Sequence, residues 1–212
     1  MKSILYSEIL VLTKSYKDGG FCVAGIDLTN NEFIRLVSNS DGGPLSDTET
    51  ESISPLTVIS FWGIPFPLKN QIENVIIDSE KQISIIRQET ISTVEKMFDE
   101  KIFHNTGLIY NDEPVLERDI MKNVTSSLSI ALFTNMNISK NLQGKYRAKF
   151  SYENTQKNFS MTDPEYCNNE YYIDKGLMII SIPPLNNSWN MNNPDKPYFK
   201  FIAKIFDFSS LT

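Results

Sequence analysis

Adjacent glycines at Gly19 and Gly20 stand between two short apolar runs, and this corner constrains the start of the chain more than any other feature. Ile9-Leu10-Val11-Leu12 precedes it and Phe21-Cys22-Val23-Ala24-Gly25-Ile26 follows. Runs this short, bounded by Lys17-Asp18-Gly19-Gly20 and then by Thr29-Asn30-Asn31, read as strands. Phe33-Ile34-Arg35-Leu36-Val37 reads as a third. Three strands joined by tight turns make a meander, the usual opening of a small barrel. The glycine turn itself admits two readings. It is a plain hairpin corner, or its exposed amides hold an anion, with Lys14, Lys17 and Arg35 adding charge. The segment is no Walker loop, because Gly-x-x-x-x-Gly-Lys is absent.

Further along, Asp41-Gly42-Gly43-Pro44 and the acidic stretch Asp47–Glu51 read as a solvated loop. Val58–Pro67 and Asn74–Asp78 supply more strands, with Pro65 and Pro67 ending the first or placing it at an edge. The period then changes. Ile91, Val94, Phe98 and Ile102 fall at helical spacing, Ser92-x-x-Glu95 fits a capping box, and Asn105-Thr106-Gly107 fits the helix end. Pro114 is suited to open a second short helix through Met121. Leu128–Thr134, Lys145–Tyr152, Leu177–Ile182 and Tyr198–Phe206 read as strands. In the last, Phe199, Phe201, Ala203 and Ile205 are expected on one face and Lys200 and Lys204 on the other. Asn186–Pro197, rich in Asn and Pro, reads as a loop. The expected organisation is a first β-rich unit over 1–90, a helical connector over 91–125 and a second β-rich unit over 126–212.

Composition narrows the function classes. The chain of 212 residues is 41% hydrophobic and 22% charged, within the ordinary globular range, and its 13 Phe and 9 Tyr favour strands. A net charge of -6 counts against a protein that grips duplex DNA through phosphate contacts, which is usually basic over at least one domain. Met1–Glu8 lacks the pattern of a signal peptide, and no stretch approaches the roughly 18 apolar residues of a membrane span. A cytoplasmic location and no membrane partner are therefore expected. Cys22 and Cys167 lack paired spacing and read as buried thiols. With one histidine, His104, and no carboxylate pair at a telling spacing, the pattern calls for no metal, no cofactor and no catalytic residue.

Two further segments can carry binding. Strand alternation puts Lys145, Arg147 and Lys149 on one face, with Tyr146, Ala148, Phe150 and Tyr152 on the other. A basic strand flanked by aromatics is how small barrels hold single-stranded nucleic acid, although stacking needs the aromatics on the cationic face. The other reading is a solvated face above a core face. Thr162-Asp163-Pro164-Glu165 reads as a turn or helix start.

Taken together, the chain resembles the dual OB-containing domain family. The matching residues are Ser15-x-Lys17-x-Gly19-Gly20-x-Cys22-Val23-Ala24-Gly25, Phe33–Ser38, Phe150-x-Tyr152, Thr162-Asp163-Pro164 and Tyr198-x-Lys200-Phe201-Ile202-Ala203. It departs from the family at Phe21, often Arg, at Phe33, usually Trp, and at Leu36, usually Pro. The resemblance implies a mainly β fold with minor α, two OB-like small β-barrels packed together around a helical middle. It also implies recognition of single-stranded nucleic acid or a nucleotide, and a role in bacterial antiphage or conflict systems. In that reading Lys17, Arg35 and Lys200 supply charge to a ligand. Gly19 and Gly20 permit its close approach, and Tyr152, Thr162 and Asp163 line the site. The alternative is a subunit that docks onto an effector protein.

Overall fold

The computed structural model describes residues 2–17, 19–100, 106–183 and 191–209, and the Lys17 side chain lies outside that description. The chain divides into two compact units, Met1–Phe103 and His104–Thr212.

In the first unit, β1 (Ile4–Lys17) pairs antiparallel with β2 (Gly20–Asp27), which pairs with β3 (Glu32–Val37). The strand β3 runs parallel to β5 (Asn74–Ile77), β5 is antiparallel to β4 (Thr57–Pro65), and β4 returns to β1. The circuit is ring-like, with β6 (Ser84–Gln88) added beside β4. A bulge between Val11 and Thr13 bends β1, and this lets one long strand serve two neighbours. Ile9, Val11, Val23, Ile34, Leu36, Ile59, Phe61 and Val75 form its core.

The second unit repeats the pairing scheme. A closed barrel runs β10-β13-β11-β8-β9, from β8 (Leu128–Lys140), β9 (Tyr146–Tyr152), β10 (Thr155–Met161), β11 (Tyr171–Ser181) and β13 (Phe201–Asp207). Here too the third strand of the barrel, β10, runs parallel to the fifth, β13. Both units therefore have the strand circuit of an OB fold. Phe133, Phe150, Phe159, Met178, Ile180, Ile202 and Ile205 fill the barrel. A small ladder joins β7 (Val115–Leu116) to β12 (Tyr198–Phe199).

Several local expectations are corrected. The acidic stretch is a short helix, α1 (Asp47–Thr50), closed by a capping box between Ser46 and Glu49. The helix α2 (Ile91–Asp99) is capped by Thr90, whose hydroxyl accepts from Thr93 N, so Ser92 lies inside its first turn. It ends at Asp99 with Glu100 as its cap, well before Gly107; Ile102 and Asn105 lie outside the described residues. Pro114 directly precedes the strand β7, and α3 begins only at Arg118 and ends at Met121. Of the loop expected over Asn186–Pro197, positions 186–190 lie outside the described residues.

The last strand is corrected most. The register with β11 slips between Ile179 and Ile180, leaving Ala203 as an extra residue between Ile202 and Lys204. The bulge breaks simple alternation, so Ile202 and Ile205 both enter the core. Lys200 and Lys204 are buried, at 0% and 8% exposure.

Candidate ligand-binding site

In the first unit Gly20 and Arg35 are engaged by the chain itself, Gly19 is not, and the Lys17 side chain lies outside the described residues. Gly19 has φ +84°, with open space where a side chain would begin. Gly20 lies against Leu45, whose carbonyl oxygen is 2.3 Å from the position a Cβ would take. Leu45 and Phe21 exchange both backbone hydrogen bonds, at 2.8 and 2.9 Å. The segment before α1 thus seals the edge of β2, and Lys14 Nζ donates to Thr50 O at 2.6 Å across the same junction. Arg35 is buried and faces Glu73, Nε to Oε1 3.7 Å.

In the second unit the residues separate into two sets. One set is internal. Tyr152 is buried in the core with Ala148 and Phe150. Lys200, at 0% exposure, donates to Leu108 O at 2.6 Å, Asn111 O at 2.5 Å and Asn111 Oδ1 at 2.8 Å. These three acceptors match the three N–H bonds of an ammonium. Burial pushes Lys200 down to about 8, against the raising influence of Asp112 and Glu113. Asp163 is also fully buried, accepting from Ile205 N at 2.8 Å and Glu165 N at 3.2 Å, with Lys204 Nζ at 3.4 Å. The Ile205 amide belongs to the segment bent by the bulge, so Asp163 satisfies a donor that the ladder releases. Burial raises the Asp163 carboxyl above its ordinary range, while Lys204 pulls it down. Lys204 also pairs with Glu165.

The other set lines a cavity of about 660 Å³. The β8–β9 turn forms one wall with Asn141, Gln143, Gly144 and Lys145. Asn141 Oδ1 accepts from Gln143 N and Lys145 N, both at 2.9 Å, so the turn is held from within. From β9 come Tyr146 and Arg147, and the ends of β10 and β12–β13 bring Ser160, Thr162, Phe199 and Phe201. Thr162 Oγ1 donates back to Ile202 O at 3.2 Å. Arg147 is fixed by Nε to Asn158 Oδ1 at 3.0 Å, Nη1 to Ser160 Oγ at 2.7 Å and Nη2 to Asn158 O at 2.6 Å. Burial lowers its pKa, yet a guanidinium keeps its charge in a protein. Lys149 is exposed on β9, and Lys145 is exposed in the turn that precedes it. Burial, with Asp163 adding to it, raises the Cys167 thiol, which lines the cavity in its neutral form.

Of the expected site residues, Lys145, Arg147 and Thr162 therefore meet at one cavity, and Lys149 extends its cationic face. The aromatics were not legible as site residues. On β9 the core takes Ala148, Phe150 and Tyr152, while Phe199 and Phe201 reach the cavity from a strand distant in sequence. The alternation Phe199-Lys200-Phe201 is the one local signal: when the lysine turns inward, both rings turn the other way. No group of three or more His, Cys, Asp or Glu able to hold a metal occurs among the described residues. No helix there is long and apolar enough to cross a membrane.

The family model for the dual OB-containing domain matches residues 7–205. No curated protein matches the chain. Among solved structures, the tetrameric p202 HIN2 is 9% identical, with 95% of this chain and 91% of that chain covered and a TM-score of 0.35. The Ifi202 HINa domain in complex with 20-bp dsDNA is 14% identical, with 97% and 100% covered and the same TM-score, 0.35. At these TM-scores the likeness carries no argument about ligand.

Proposed function

The chain belongs to the dual OB-containing domain family, and from that premise we propose that it is a non-enzymatic module whose second barrel binds single-stranded nucleic acid or a nucleotide-like ligand. One observation carries the reading. The cavity is lined by the β8–β9 turn, the start of β9 and the end of β10, which supports a ligand on the strand 2–3 face and first loop that OB folds use for oligonucleotides. There it combines the cations Lys145 and Arg147 with the rings of Tyr146, Phe199 and Phe201. Cations that track a phosphate backbone beside rings that stack on bases are the two components of single-strand binding. In the first unit the corresponding end of β2 is bridged to Leu45 through Phe21, which supports assigning the ligand to the second unit. Fluorescence anisotropy with single-stranded DNA and RNA tests this. Binding at low and moderate salt that weakens in Arg147→Ala is expected, and no binding at either salt sinks the reading.

A protein partner is a second reading, favoured by the first unit. Ile4, Leu5, Ile85 and Ile86 are 45–52% exposed on β1 and β6, the strands flanking β4. Among the described residues β6 pairs only with β4, and an open apolar edge can accept a strand from another chain. Specific co-purification of a protein, lost in Ile86→Lys while nucleic-acid binding persists, would support it.

A further inference from the structure

Resting on the reading of the second-barrel cavity as a nucleotide site, we propose that it takes one unstacked base, with neighbouring nucleotides of the strand held by charge alone. The volume sets the scale. A space of about 660 Å³ is that of a small-molecule pocket and admits a nucleotide. Within the cavity the stacking surface comes from aromatic side chains. Tyr146, Phe199 and Phe201 line it and are half-buried, and Lys140 Nζ lies 5.2 Å from the centroid of the Tyr146 ring.

Outside the cavity the chemistry changes. Beyond Arg147 the outward residues of β9 are Lys149 and Ser151, opposite Asn158 and Gln156 on β10. Positive charge continues along this face and aromatic surface does not. Arg147 and Lys149 are two residues apart on β9, about 7 Å along a strand, a step on the scale of an extended nucleotide, and Lys145 stands in the turn just before them. Arg147 adds selectivity for the central unit. A guanidinium carries five N–H bonds, and three are given to Asn158 and Ser160. Two stay available on a group whose position is already set. They suit a phosphate or a base edge beside the rings, and Lys149 suits the next phosphate along.

Three single-stranded DNA probes of equal length test the proposal with the whole chain: a fully abasic backbone, the same backbone with one central thymine, and the all-thymine strand. The single thymine is expected to raise affinity on the order of tenfold over the abasic backbone, the scale of one base stacked on aromatic side chains. The all-thymine strand should gain no more than the number of registers in which it can bind. A gain well beyond that number would show serial stacking and overturn the proposal. So would a single thymine that binds no better than the abasic backbone while the all-thymine strand does. If none of the three binds at low salt, it is the nucleic-acid reading itself that fails. Phe199→Leu and Phe201→Leu supply a second measurement. Loss of the single-thymine gain with unchanged abasic affinity supports the proposal, and retention of the gain in both overturns it.

Discussion

The buried charges decide which residues of the chain act on a ligand and which hold the fold. Asp163 and Lys200 have the residue types of a binding site, yet each is held by partners within the fold. Removing one partner of a buried charged network leaves the others unsatisfied, which typically costs about 3–5 kcal/mol. Asp163→Ala is accordingly expected to lower stability by roughly that amount, because Ile205 N and Glu165 N lose their acceptor and Lys204 loses one of its two carboxylates. Urea denaturation of the purified variant measures it. Lys200 adds a pH signature. Its value falls to about 8 in the fold, against about 10.4 in an unfolded chain. Between those values the unfolded state binds more protons, so this group's contribution to stability rises with pH across the window. The difference in unfolding free energy between wild type and Lys200→Met should therefore move in favour of the wild type from pH 8 toward about pH 10. A difference that is flat or of opposite slope would contradict the assignment.

At the level of strands and turns, the glycine corner is explained by packing on Leu45. A Cβ at position 20 would meet the Leu45 carbonyl, whereas position 19 opens onto free space with a left-handed backbone. Gly20→Ala is expected to destabilise by about 1–3 kcal/mol through steric displacement, and Gly19→Ala by about 1–2 kcal/mol through its backbone conformation alone. Neither should change affinity for single-stranded DNA measured well below the unfolding transition; a selective loss of binding in Gly19→Ala would return this turn to the site. The same contrast shows what a linear sequence reveals. β2 and β3 were legible because apolar runs between turn residues are a local signal. β10 was not, because in Thr155–Met161 only Phe159 and Met161 are apolar, and its partner β9 supplies the reason for the strand. The bulge at Ala203 and the inward turn of Lys200 were equally hidden, since the acceptors of Lys200 lie 89–92 residues away. The cavity draws on separate segments of the second unit, so its cationic strand could be read and its aromatic wall could not.

For the molecule as a whole, two units with one pairing scheme differ in what that scheme leaves open. The first covers the edge of β2 with its own chain, and the second keeps the corresponding region as a lined cavity. The net charge of -6 then has a definite consequence. An acidic protein with a short cationic face should bind single strands with few phosphate contacts, hence with shallow salt dependence. Lys145, Arg147 and Lys149 are the cations on that face. Each neutralised phosphate contributes about -0.7 to the slope of log K against log salt for single strands. Three contacts give a slope of about -2, or roughly a twentyfold loss of affinity between about 50 and 200 mM salt. Lys145→Ala with Lys149→Ala should flatten the slope toward about -0.7, leaving the contact made by Arg147. Anisotropy titrations of wild type and double variant over that salt range measure both slopes. A wild-type slope steeper than about -4 would require phosphate contacts beyond the cations of this face, and the single-cavity account of binding would then be wrong.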